Sequence, residues 1–346
     1  MKILYLKTED PAISHLCYFD PIAEKPIHND FLHDTLLIGL RNNFGFDVID
    51  YPGAWYMYTE ERKKRKDFTT EKFWGKLFTL YDSLENFNLI NREDIKNKIK
   101  KNFFDLIIYG SIRGENLFLE EAINSKSKII FVDTSDDGAI DLKKVNKGPY
   151  FKMEFTGTEK YVYPISYAIP KKKIIKSINK NPKNILSPLV PGKLNTYVYE
   201  NENDYHQMYQ DSIFSLTYRK QAWDSLRHYE ILANGSIPMF IQLKDCPSSC
   251  LTTLPKKELI DFFDLYKKIF RYYNPFQIYK KRFRSFEKLY NYIINIYKKL
   301  PEPLSFIEEN PKVNEHRNHL LEFTKNNLTS EKLAEYVINT SRIFFK

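Results

Sequence analysis

With 346 residues, 42% of them hydrophobic and 16% aromatic, the chain has ample material for packed cores, and its length suits two domains. Cys17, Cys246 and Cys250 are odd in number and suggest no paired framework, which excludes a disulfide scaffold and fits reduced thiols in a cytoplasmic setting. The net charge of +9 is uneven: residues 1–170 carry 24 Lys+Arg against 26 Asp+Glu, residues 171–346 carry 29 against 18.

A basic second half suits a phosphate-bearing ligand, nucleic acid or an anionic membrane surface. The apolar run in Met1–Asp10 is too short for a signal peptide, and no segment approaches the roughly 18 apolar residues of a membrane span. A soluble protein is expected. Cys246-Pro-Ser-Ser-Cys250 has no second Cys/His pair nearby, so no zinc site and no other metal is expected.

Ile3-Leu4-Tyr5-Leu6 predicts a short buried strand, ending in a polar turn at Lys7–Pro11. Residues 30–43 have helical spacing, Gly45 stops them, and Phe46–Asp50 makes a second strand. That strand–helix–strand order indicates a parallel sheet. After a charged, aromatic insertion over residues 52–100, strands are predicted at Phe104–Tyr109 and Lys128–Asp133, with a helix over 115–124 between them. No glycine-rich dinucleotide fingerprint follows the first strand, which argues against a nicotinamide cofactor.

In open parallel sheets ligands gather at the C-terminal strand ends. Gly110-Ser111-Ile112-Arg113 and Asp133-Thr134-Ser135-Asp136-Asp137 both fall there, so Gly110 and Arg113 are candidate ligand contacts. Asp136 and Asp137 are candidate general bases, or simply members of an Asx-rich turn. His28 and His33 flank the start of the first helix, where either an acid–base or a capping role fits.

Pro164–Pro170 and the basic run Lys171–Lys176 read as a crossover between domains. Beyond it a second unit opens with a strand over Asn184–Val190, followed by Pro191-Gly192-Lys193, whose lysine can approach a phosphate. A helix over 202–210, a strand over 212–217 and the polar loop Tyr218–Ala222, which holds Lys220, lead to the most informative stretch. Farther on, Tyr279, Phe283, Phe286, Tyr290, Ile293 and Tyr297 form one stripe of an amphipathic helix. Packing on its own domain suits that stripe better than peripheral membrane contact through the basic residues around it.

The key stretch is Trp223-Asp224-Ser225-Leu226-Arg227-His228-Tyr229-Glu230, running on to Asn234-Gly235 and the strand Ile237–Ile241. Asp224 is a good N-cap, and Asn234-Gly235 a good stop. Arg227 and Glu230 are neighbours on one helix face, either as a surface ion pair or as a ligand site. A guanidinium in the first turn, beside the positive end of the helix dipole, suits a phosphate. A carboxylate one turn on can accept from two adjacent sugar hydroxyls.

Together these residues resemble GT-B glycosyltransferases, nearest to the exostosin-like transferases, whose C-terminal domain carries an R-x-x-E helix, a small-residue stop and an "IP" strand. Here those are Arg227, Glu230, Gly235, Ile237 and Pro238, with Leu254-Pro255 downstream. The likeness covers about residues 210–257, and the first half in architecture only. It implies two Rossmann-like α/β domains facing a cleft: an acceptor-side domain over 1–170, a nucleotide-sugar domain over 171–310, and C-terminal helices over 311–346 that return to the first.

The resemblance further implies metal-independent transfer of a sugar from a nucleotide-sugar donor to a glycan or other hydroxyl acceptor. Arg227 would hold the diphosphate and Glu230 the ribose or donor sugar, with Asp224, His228, Lys193 and Lys220 around them. A base would come from Asp136, Asp137 or His33. The competing readings are a nucleic-acid-binding protein using the basic half, with no stable nucleic-acid partner expected under the first reading, and an inactive sugar-binding relative.

Overall fold

The computed structural model describes residues 1–7, 18–20, 25–27, 30–65, 74–112, 116–192, 194–240, 242–266 and 300–345. Cys17, His28, Arg113, Lys193 and the 279–297 stripe lie outside the described residues. The chain forms two compact units, one of Met1–Lys171, Pro247–Thr252 and Leu328–Lys346, the other of Lys172–Cys246 and Thr253–Asn327.

The first unit runs β1 (Ile3–Leu6), β2 (Tyr18–Asp20), β3 (Lys25–Ile27), α1 (Phe31–Phe44), β4 (Val48–Tyr51), α2 (Thr59–Lys64), α3 (Ile95–Lys100), β5 (Leu106–Tyr109), α4 (Leu119–Ile123), β6 (Lys128–Asp133), α5 (Leu142–Val145), β7 (Tyr150–Lys152) and β8 (Val162–Pro164). Six of these strands make one parallel sheet in the order β4-β1-β5-β6-β7-β8, and β2 and β3 pair antiparallel. Ile3 to Leu6 are wholly buried between β4 and β5. A parallel strand covered on both faces reads as an unbroken apolar run, which is why the sequence shows it so plainly.

The expected strand over 46–50 begins later, because Gly45–Asp47 form a 3-10 turn and β4 starts at Val48. The charged insertion is anchored by a buried pair: Arg92 donates through Nη2 to Asp50 Oδ1 at 2.7 Å and through Nε to the Asp50 carbonyl at 2.9 Å. Tyr58 and the Ala54 amide also donate to the Asp50 carboxylate. Burial alone would raise that carboxylate's pKa; Arg92 and the Ala54 amide bring it below the ordinary value.

The second unit runs β9 (Asn184–Leu186), α6 (Glu202–Gln210), β10 (Ser212–Thr217), α7 (Leu226–Ala233), β11 (Ile237–Phe240), α8 (Lys256–Tyr266), α9 (Pro303–Glu309) and α10 (Val313–Asn327). Its parallel sheet has the order β11-β10-β9. Central β10 is buried along its whole length. Pro238 is tolerated because β11 is an edge strand, where a missing N–H need not break a ladder on both sides. Gly235, at φ +70°, ends α7: its N–H reaches the Leu232 carbonyl and Ser236 N–H reaches Ile231.

The C-terminal helices are shared out. Helix α10 packs on α7 in the second unit, whereas α11 (Ser330–Phe344) packs on α1 in the first. Gly39 makes the latter approach close, since a Cβ there would lie 1.8 Å from the Ser330 carbonyl oxygen. Leu333, Ala334, Val337 and Ile338 bury the facing stripe of α11.

Candidate functional site

In the second unit three segments meet at the C-terminal side of the sheet: the loop beyond β9, the loop beyond β10 and the first turn of α7. Thr196 Oγ1 pins the first loop, donating to the Val190 carbonyl and accepting from the Val190 amide, both at 3.1 Å. The Gly192 amide donates to the Tyr197 hydroxyl at 3.1 Å, and Tyr218, just past β10, donates to the Pro191 carbonyl.

Arg227 enters this frame from α7. Its Nη2 donates to the Tyr197 hydroxyl at 2.8 Å, and its guanidinium carbon lies 5.7 Å from that ring's centroid. Its Nε–H is buried and has no hydrogen-bond partner among the described residues. Burial opposes the charge, but Tyr209, Tyr197, Tyr205 and Glu230 outweigh it and hold the guanidinium above its ordinary pKa. Loss of solvent, and then the Arg227 charge, push the Lys220 ammonium below its own. Two neighbouring cations and a helix start make a concentrated positive edge.

Arg227 and Glu230 take separate partners. Glu230 is buried, and its Oε2 accepts from Tyr205 at 2.6 Å, whose hydroxyl lies 3.2 Å from that of Tyr209. Burial, with Glu230 next, raises the Tyr205 phenol well above its usual pKa. The cap falls one residue later than the sequence suggests. Ser225 is the N-cap, while Asp224 accepts from the Ser225 amide at 2.9 Å and from Tyr229 at 3.3 Å.

His228 is structural in this arrangement. It is fully buried, with Nδ1 2.9 Å from Thr217 Oγ1 and Nε2 3.0 Å from the Trp223 carbonyl, and stacks on Phe240. The carbonyl can only accept, so Nε2 carries the proton and Nδ1 accepts from Thr217. Desolvation lowers its pKa to about 3, keeping the ring neutral. Both nitrogens are spoken for, which leaves neither for a ligand.

In the first unit, His33 and Gly110 do come together, by packing. The His33 ring is buried, edge-on to Tyr5 with centroids 4.5 Å apart, and a Cβ at Gly110 would lie 2.4 Å from its Cδ2. Asp136 and Asp137 are exposed beyond β6, where Asp137 accepts from the Ala139 amide at 2.9 Å as an Asx turn does. The buried carboxylate of that turn is Asp133, which accepts from Tyr150 at 2.6 Å and from the Ser135 amide at 2.9 Å and lies 3.4 Å from Lys152 Nζ.

Two residues that no sequence pattern singled out stand at these edges. Tyr197 is one; only the close pair of aromatics in Tyr197-Val198-Tyr199 points to it. Asp30 is the other, the N-cap of α1, with Oδ1 3.0 Å from the His33 amide. Burial raises its pKa to about 6, against the hydrogen bonds from the His33 amide and Thr134. Nearby, Lys7 pairs with Asp34 at 2.9 Å, and Tyr56 donates to both Asp34 oxygens.

Among the described residues no group of three or more His, Cys, Asp or Glu is placed to hold a metal ion, and no helix is long and apolar enough to cross a membrane. Comparison with protein-family models finds no match, and neither does comparison with curated protein sequences.

Proposed function

We propose that the chain is a glycosyltransferase that moves a sugar from a nucleotide-sugar donor to a hydroxyl of a glycan or similar acceptor in the cytoplasm, with its units serving as the two Rossmann-like halves of a GT-B arrangement. One observation carries this reading: a guanidinium without an ion-pair partner among the described residues, with an unused buried Nε–H, in the first turn of a helix at the strand-end edge of a parallel sheet. Such an edge is where α/β units bind phosphorylated ligands.

In the reaction, Arg227, helped by Lys220 and the α7 N-terminus, stabilises the negative charge that builds on the departing diphosphate. Glu230 takes a ribose or donor-sugar hydroxyl only by sharing its carboxylate with Tyr205. The acceptor hydroxyl must lose a proton. Asp30 suits that task better than Asp136, Asp137 or His33, because its carboxyl titrates near neutrality at about 6. Asp136 and Asp137 are exposed, and His33 is packed away beneath Gly110.

The test is to incubate the full chain with a panel of nucleotide sugars and measure nucleotide release, with and without EDTA. Release that survives EDTA and is lost in Arg227→Ala supports the reading. No release with any donor, across a set of glycan acceptors, would sink it.

A further inference from the structure

Tyr197 is the junction of the donor edge in the second unit. Its phenol oxygen accepts from the Gly192 amide at 3.1 Å and from Arg227 Nη2 at 2.8 Å. A phenol oxygen has two lone pairs and one proton. With both lone pairs used, the O–H is what remains, and it has no acceptor among the described residues.

Two hydrogen-bonded neighbours therefore each keep a donor with no acceptor among the described residues, the Tyr197 O–H and the Arg227 Nε–H, with Lys220 close enough to feel the Arg227 charge. Donors without acceptors, carrying net positive charge, select an anion with several oxygens. The geometry also fixes what Tyr197 does for its neighbour. By accepting from Nη2 it holds the guanidinium plane, and by accepting from Gly192 it ties that plane to the loop beyond β9.

We infer that Tyr197 is a binding and positioning residue of this site, donating its hydroxyl proton to a phosphoryl oxygen of a nucleoside diphosphate while orienting Arg227 toward the same group. The inference rests on the donor-site reading above and adds to it a residue outside the R-x-x-E helix. It makes recognition of the diphosphate depend on a neutral hydroxyl as well as a cation. The lost contact is one charge-assisted hydrogen bond plus the ordering of a second, so the expected weakening is about tenfold or more.

Binding of UDP, GDP, ADP and inorganic diphosphate to the full chain is measured by calorimetry for the native sequence and for Tyr197→Phe, which keeps the ring over Arg227. Whichever of these the native chain binds should bind at least about tenfold more weakly to the variant. A second measurement needs no variant: nitration of Tyr197 in the native chain, followed by mass spectrometry, should be suppressed by the bound ligand. Equal affinities within about twofold in a folded Tyr197→Phe, or ligand binding that leaves Tyr197 nitration unchanged, would overturn the inference and leave the donor site standing. Failure of the native chain to bind any of the four would remove the donor site itself.

Discussion

Arg317 Nε donates to the Gly235 carbonyl at 2.7 Å, so an arginine on α10 closes the far end of the helix whose first turn carries Arg227. Nη1 adds the Asn179 carbonyl at 2.8 Å. The side chain is fully buried, and desolvation lowers its pKa to about 10. Removing it leaves the buried Gly235 carbonyl and the part-buried Asn179 carbonyl short of a donor. Arg317→Ala is expected to lose about 2–4 kcal/mol in urea denaturation, and Arg317→Lys to recover only part, since a point charge cannot reproduce the fork. A loss below about 0.5 kcal/mol would contradict the staple.

Arg227 should behave in the opposite way. Its charge has no ion-pair partner among the described residues and its Nε–H is unmet, while the surrounding phenols and Glu230 offset the cost of burying it, so the fold gains little from it. Arg227→Met is expected to leave the melting temperature nearly unchanged, while nucleotide release falls about 10²–10³-fold. A clear drop in melting temperature with release intact would make Arg227 a structural residue.

Much of the architecture was legible because burial and sequence coincide. Strands β1, β5, β6 and β10 are apolar runs, and Asn234-Gly235 announces the end of α7. Strand β7 hides because it is short and closes on Lys152, a lysine that is buried with Ser135 and Asp133 receiving its ammonium. Strand β8 hides behind Pro164. In the candidate site, the place of Arg227 in the first turn of α7 is legible from sequence, whereas the cap lies at Ser225, one residue after Asp224. Asp30 and Tyr197 cannot be ranked from sequence, because the first depends on its surroundings in the fold, a hydrogen bond with Thr134 among them, and the second on a loop that folds back to Gly192.

Acid should weaken the second unit first. His228 titrates at about 3 and His206 at about 4, both lowered chiefly by burial from an ordinary 6.5. Folded pKa values below unfolded ones mean that the unfolded chain binds the extra protons. The contribution is fully present above pH 6.5 and is lost as pH falls toward the folded values, at about 1.4 kcal/mol per pH unit for each histidine. Urea midpoints at pH 7.5 and 5 should differ accordingly, and His228→Gln should reduce the slope. An unchanged midpoint would refute the neutral, buried imidazoles.

Asp30 has the reverse sign. Its folded pKa of about 6 lies above the ordinary 3.8, so its contribution is greatest below 3.8 and is lost as pH rises through 6. Asp30→Asn, which still caps α1, should gain stability relative to the native chain at pH 8 and lose the transferase rate if Asp30 is the base. Native-like turnover in that variant would return the assignment to Asp136, Asp137 or His33.

An alanine usually improves a helix interior over glycine by about 0.5–1 kcal/mol. At Gly39 the new methyl would meet the Ser330 carbonyl at 1.8 Å, so Gly39→Ala is expected to destabilise the first unit by about 1–3 kcal/mol instead. Limited proteolysis should then release α11 early. Stabilisation would show that the two helices are not held this close.

The placement of α11 also sets a timetable for synthesis. The first unit's sheet can be complete once Lys171 has been made, yet the helix that covers α1, Ser330–Phe344, is made only after the second unit. At about 5–20 residues per second, roughly 9–35 s separate those two moments on the ribosome. Through that interval the side of α1 that α11 packs against stands uncovered on the nascent chain, so the first unit is finished only after the second has been made.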